Sequence, residues 1–239
     1  MKTVLLFGFI IFNGVLFIPV TSCPSGKFGR ECMFTCHCKD GADCDDTSGF
    51  CVSGCASGWS GNSCQQRNAA YGRLTSQKDG SLSQNSSFAV DDVISTCSST
   101  QAAVPGWWLV TLKDVTNIRT IVIKGSETTD IKGWRVYAGM DENRMSMSLC
   151  ATVRVSGDGA TITCDTVIVG KHVMVVNRNG PVVLCDFHVK VCSPQWFGVG
   201  CEHVCNCADQ EEVCDVISGT CKTGCSDGWT RVDCLTRKP

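Results

Sequence analysis

The stretch Asp186-Phe187-His188-Val189-Lys190-Val191 alternates polar and apolar side chains residue by residue. Successive side chains of an extended chain point to opposite faces. Phe187, Val189 and Val191 therefore read as the inner face of a half-buried β-strand, with Asp186, His188 and Lys190 on its wet face. This run closes a strand candidate at 183–191. Upstream, β-branched and aromatic runs recur at 107–112, 118–124, 134–138, 151–155, 161–167 and 172–177. Turn signals separate them: Gly125, Gly139, Gly157-Asp158-Gly159 and Asn179-Gly180-Pro181. No amphipathic helical pattern interrupts the series. Short strands at this spacing predict an all-β antiparallel sandwich over 65–191, a span long enough for one core.

Cysteines bracket that segment. The chain has 239 residues and 20 cysteines, about 8%, the level of a disulfide scaffold in a secreted chain. Eight fall between Cys23 and Cys64, eight between Cys192 and Cys234, and four between the blocks. Intervening counts run 8, 3, 1, 5, 6, 3, 8 in the first block and 8, 3, 1, 6, 6, 3, 8 in the second. The blocks at 23–64 and 192–234 are thus one module written twice, with 235–239 a short tail. Ser48-Gly49 matches Ser218-Gly219, and Phe28, Trp59, Phe197 and Trp229 stand mid-loop in the eight-residue segments. Modules this short cannot bury a sufficient apolar core, so cross-links take its place.

Eight cysteines admit 105 pairings, and spacing alone does not choose among them. The blocks resemble the EGF-like repeats of laminin and of multiple-EGF scavenger receptors, and Cys55-Ala-Ser-Gly-Trp-Ser-Gly-Asn-Ser-Cys64 is similar to that family's closing loop. The resemblance implies Cys23 with Cys32, Cys36 with Cys44, Cys38 with Cys51 and Cys55 with Cys64. In the second block it implies Cys192 with Cys201, Cys205 with Cys214, Cys207 with Cys221 and Cys225 with Cys234. The rival reading of Cys36-His37-Cys38 and His203 is zinc. Against it, no Cys-x-x-Cys pair is present and Asn206 stands where the second block would need the counterpart of His37.

The N-terminus supplies the oxidising compartment that so many cysteines require. Met1-Lys2, an apolar run from Val4 to Phe17 and the small residues before Cys23 read as a signal peptide over 1–22; the alternative is a membrane anchor, for which the run is short. The expectation is a secreted, extracellular chain with no transmembrane segment once the leader is removed. Net charge is −2 and the charges are interspersed, which argues against nucleic acid as a partner. Asn85-Ser86-Ser87 is a glycosylation acceptor sequence at Asn85.

The middle segment resembles the F-type lectins (fucolectins), within the discoidin-type galactose-binding sandwiches. The matching stretches are Asn68-Ala69-Ala70-Tyr71-Gly72 with Thr75-Ser76-Gln77, Ala89-Val90-Asp91-Asp92, Cys97-Ser98-Ser99-Thr100 before Trp107-Trp108-Leu109-Val110-Thr111-Leu112, and Leu184-Cys185-Asp186-Phe187-His188-Val189. The resemblance implies a jelly-roll β-sandwich with Cys97 bonded to Cys185 and Cys150 to Cys164. It also implies a structural calcium ion held by the Asp91 and Asp186 carboxylates, by Thr96, and by backbone carbonyls of Phe88, Val93 and Cys185. Calcium takes several oxygen ligands, which this set supplies. Asp92 stands where the family has Gly.

The family's fucose site uses a His after the first cysteine and two Arg on a loop. Here those positions hold Ser99 and the loop Lys124-Gly125-Ser126-Glu127-Thr128-Thr129-Asp130, which has no Arg. A site built to hydrogen-bond its ligand loses discrimination when those donors go, so fucose binding of the usual kind is not expected. Ser99, Lys124, Glu127, Asp130 and Lys132 remain as a polar set at the expected mouth. No nucleophile elbow, metalloprotease helix or phosphate loop occurs, so no enzyme and no organic cofactor are expected. Two functions follow. One is a recognition protein that binds a glycan or extracellular glycoprotein, with the EGF-like repeats as stiff spacers or contacts. The other is an adhesion or matrix protein whose sandwich makes protein contacts without sugar.

Overall fold

The computed structural model describes residues 11–12, 15–16, 22–79, 84–101 and 104–238. Of the leader it describes only Ser22 and the paired two-residue strands Ile11–Phe12 and Val15–Leu16, so the signal-peptide reading falls mostly outside the described residues. The rest is β-structure and turns. The helical pieces described are 3-10 turns, as at Ser86–Val90 and Arg144–Ser146, and no described helix is long and apolar enough to cross a membrane.

In the central segment the strands are β1 Gln66–Asn68, β2 Leu74–Gln77, β3 Ser98–Ser99, β4 Gly106–Lys124, β5 Arg135–Gly139, β6 Ser148–Thr152, β7 Gly159–Asn177, β8 Val183–Leu184 and β9 Asp186–Cys192. All named pairings are antiparallel. Strands β4 and β7 are long enough to serve two layers. The first half of β4 lies between β2 and the second half of β7, which continues to β5 and β6. The second half of β4 lies between the first half of β7 and β9, which continues to β1. The β4–β7 ladder slips register after Thr163 and again at Gly170–His172, where the paired strands bend from one layer to the other. Gly170 is obligatory at that bend, because a Cβ there would stand 2.8 Å from the Gly139 carbonyl oxygen.

These bends explain where the strand pattern and the fold differ. The candidates 107–112 and 118–124 are one strand, and so are 161–167 and 172–177, since a bulge interrupts side-chain alternation without ending the extended chain. The candidate 151–155 sits earlier, as Ser148–Thr152, with Cys150 bonded to Cys164 of β7. The run 183–191 breaks at Cys185, which bonds to Cys97.

The inner faces of the two layers meet in one core. Trp108, Trp134, Ile121, Ile123, Val136, Val173, Phe187 and Val189 are all essentially inaccessible. The Trp108 and Phe187 rings lie 4.8 Å apart between centroids, and the indole N–H of Trp108 donates to the Ser86 carbonyl at 2.9 Å. The alternation first read at 186–191 is met: Phe187 and Val189 are buried, with Asp186, His188 and Lys190 on the partly exposed side.

Ten disulfides close the chain, no described cysteine is free, and the pairs coincide with those the two family resemblances imply. The zinc reading of Cys36-His37-Cys38 therefore lacks thiolate ligands. Within each module, Phe28 and Phe197 are buried and a glycine lies flat against the ring: a Cβ on Gly49 or Gly219 would fall 2.3 Å from it. Asp45 and Asp215 tie the matching turns by accepting hydrogen bonds from the backbone N–H and hydroxyl of Ser48 and Ser218.

The modules are not separate spacers. Trp196 of the second module is 5% exposed and packs with Phe28 and Phe34 of the first. The first module also continues into the sandwich without a linker, because Trp59–Ser60 pairs with β1. Gln66 reaches across from β1 to donate to the Val199 carbonyl at 2.8 Å. The apolar surface that eight-cysteine modules cannot enclose alone is thus buried between them and the sheet.

Candidate functional site

The early loop after Ser86–Val90 and the start of β9 are the two segments that the calcium expectation brings together, and the Cys97–Cys185 bridge joins them. Asp91 Oδ2 accepts from the Thr96 hydroxyl at 2.7 Å, and that hydroxyl lies 2.8 Å from the Val93 carbonyl oxygen. Asp91 Oδ1 accepts from Val93 N–H at 2.9 Å. The Thr96 hydroxyl thus stands within hydrogen-bond reach of both a carboxylate oxygen and a carbonyl oxygen, all of the kind a hard cation takes. Asp186 is placed otherwise: its Oδ2 is 2.7 Å from His188 Nε2 on the same face of β9. Among the described residues no group of three or more His, Cys, Asp or Glu side chains stands together as a metal cluster. The oxygen set at Asp91, Val93 and Thr96 fits calcium in kind, while the second carboxylate is held by an imidazole.

The expected sugar mouth lies at the ends of β4 and β7. Lys124 closes β4, and its ammonium stands 2.5 Å from Asp158 Oδ2, each side chain about one-third exposed. Lys124 is paired in register with Gly159 on one side and Asp186 on the other, which fixes it at the rim. The hydrogen bond from the Lys124 ammonium lowers the carboxyl pKa of Asp158 below the ordinary aspartate value. Asp130 accepts from Lys132 N–H at 3.0 Å and Gly157 N–H at 3.1 Å, and these two donors lower its pKa. It thereby pins the 125–132 loop to the turn that carries Asp158. Glu127 and Lys132 are exposed on that loop. Ser99 is buried in the β3–β8 pair opposite Val183, and its hydroxyl accepts from Gln101 N–H.

Of the five expected rim residues, then, Glu127 and Lys132 are exposed, Lys124 is partly exposed and ion-paired, Asp130 pins the loop, and Ser99 is buried. The sequence reading missed Asp158. Its position inside Gly157-Asp158-Gly159 reads only as a turn, and nothing local signals that the turn faces the end of β4 across the ladder. Asn85, the acceptor asparagine, is exposed and caps the 3-10 turn Ser86–Val90 by accepting from Ser87 N–H.

Residues 88–175 match the family model described as a NedA-like, galactose-binding domain. A 63-residue stretch is 38% identical to dendrite extension defective protein 1 of Caenorhabditis elegans, covering 26% of this chain and 6% of that protein, so the chain spans a small fraction of that relative. Among solved structures, the fucolectin from the serum of the striped bass Morone saxatilis is similar at a TM-score of 0.48 and 19% identity, over 53% of this chain and 47% of that one. A fucose binding module of Streptococcus pneumoniae is similar at 0.47 and 20% identity, over 54% and 98%. The family 32 carbohydrate-binding module of C. perfringens NanJ, solved with galactose, is similar at 0.45 and 16% identity, over 53% and 99%. The family-model match lies wholly within the middle segment.

Proposed function

We propose that the protein is a secreted, non-enzymatic recognition protein whose sandwich binds a galactose-class glycan, free or carried on an extracellular glycoprotein. The match of residues 88–175 to a galactose-binding family carries this reading. The rim supports it chemically. Each pyranose hydroxyl both donates and accepts, and the Lys124–Asp158 pair offers an ammonium donor beside a carboxylate acceptor. Glu127 and Lys132 extend that polar edge. Secretion is supported by the signal-peptide pattern read in residues 1–22 and by ten disulfides, which persist in oxidising compartments. Calcium enters the same proposal as a structural ion at Asp91, Val93 and Thr96, with Phe88, Cys185 and Asp186 as the remaining oxygens named by the family resemblance.

Saturation-transfer NMR of the whole chain tests the sugar reading. Galactose-terminated saccharides should show ring-proton signals that vanish in the Lys124→Met/Asp158→Asn variant, and fucose should show none. A second reading, protein contacts without sugar, is favoured by one observation: Ser99 and Asp130 are committed to internal hydrogen bonds. Silence of every saccharide with retained capture of an extracellular glycoprotein after deglycosylation would select it.

A further inference from the structure

We propose a second binding site, for a small organic anion with an apolar body, in the cleft between the sandwich and the second cysteine module. The cleft has a volume of about 460 Å³, within the range of small-molecule sites. Its sandwich wall is the middle of β4, from Asp114 to Thr120, and its far wall is the second module around Val199 and Ile217. It lies away from the rim: Lys190 of β9 pairs with Thr120, four residues before Lys124 along β4.

The lining of this cleft carries more cations than carboxylates. Arg67, Arg119 and Lys190 line it against the single carboxylate of Asp114. Among the described residues none of the three cations forms an ion pair within 4.0 Å. Arg119 donates to the Asp165 carbonyl, and the Lys190 ammonium to the Ser60 hydroxyl at 3.1 Å, both neutral acceptors. Lys190 is half-buried, and that burial lowers its proton affinity, with Asp186 and Asp92 acting in the other direction. Asp215 likewise feels the charge of Arg119, but among the described residues none of these carboxylates closes to an ion pair with the three cations within 4.0 Å, which leaves the cations of the cleft wall open to an entering anion. Val115, Val199 and Ile217 expose 53%, 75% and 42% of their surfaces on the walls. Cationic floor and aliphatic walls together are complementary to a carboxylate carried on a hydrocarbon body.

Calorimetric titration of the whole, disulfide-intact chain with dodecanoate, below its micelle concentration, is the test. Dodecanoate should bind saturably, while acetate and dodecyltrimethylammonium should not. Arg119→Gln and Val115→Glu should each weaken binding at least tenfold with no change in unfolding temperature. Absence of dodecanoate binding, equal binding of the cationic amphiphile, or undiminished affinity in both variants would overturn the proposal. The Lys124→Met/Asp158→Asn rim variant should bind dodecanoate normally, which separates this site from the saccharide reading.

Discussion

The Trp196 indole stands edge-on to the Phe34 ring, centroids 5.2 Å apart, although one residue belongs to the second cysteine module and the other to the first. With Phe28 at 6.0 Å, the three rings form an aromatic core shared between two modules that meet only because the sandwich returns the chain to its starting end.

Trp196→Ala should therefore destabilise both modules, not one. Truncating a buried Trp typically costs about 3–5 kcal/mol. Trp196→Phe should be far milder, since the indole N–H is buried without a hydrogen-bond partner among the described residues and its loss leaves nothing unpaired. Hydrogen exchange resolved by module checks this: Trp196→Ala should raise exchange around Phe28 as well as around Trp196.

His37 predicts a pH dependence confined to the first module. Its ring stacks on Trp59 at 3.5 Å, and its Nδ1–H donates to the Cys64 carbonyl. Burial lowers its pKa below the ordinary 6.5, outweighing the raising effect of that hydrogen bond. The unfolded chain then takes up the proton first as pH falls, so stability is full above about pH 6.5 and declines below it. Asn206 holds the matching place in the second module, where its amide donates to the Cys234 carbonyl at 3.0 Å. His37→Asn should flatten the decline in unfolding temperature between neutral and mildly acidic pH. An unchanged slope would assign the dependence to another group.

How much of this was legible in the sequence depends on the range of the interaction. The strand at 186–191 could be read because alternation is local, and the module repeat because its spacing is covalent chemistry written twice. The fusion of candidates into β4 and β7 was hidden, since a bulge resets alternation without ending the strand. Trp196 reads as one more mid-loop aromatic beside Phe197, and no local pattern tells which of the two leaves its own module. Lys124 was named at the rim, whereas Asp158 and the cation cleft of Arg67, Arg119 and Lys190 arise only when distant strands pair.

The proposed calcium ion should raise the unfolding temperature of the wild-type chain. Asp91→Ala should abolish that rise, because Asp91 supplies the carboxylate that meets Thr96 and Val93. Differential scanning calorimetry with calcium and with chelator reads it directly. A wild-type transition indifferent to calcium would leave the loop held by its own hydrogen bonds and the Cys97–Cys185 bridge.

Loss of that bridge has its own signature. It closes a separation of 88 residues between the early loop and β9. Cys97→Ser/Cys185→Ser should cost on the order of 2–5 kcal/mol, chiefly by freeing the unfolded chain. Chemical denaturation should show the loss in the sandwich transition, with both cysteine modules still oxidised.

The central claim is that the sandwich recognises sugar through the Lys124–Asp158 rim. A glycan microarray probed with the intact chain, in calcium and in chelator, measures it most directly. The account predicts binding concentrated on galactose-terminated structures, absent from fucose-only ones and lost in the Lys124→Met/Asp158→Asn variant. Fucose-selective binding, or galactose binding that survives this double substitution, would contradict it.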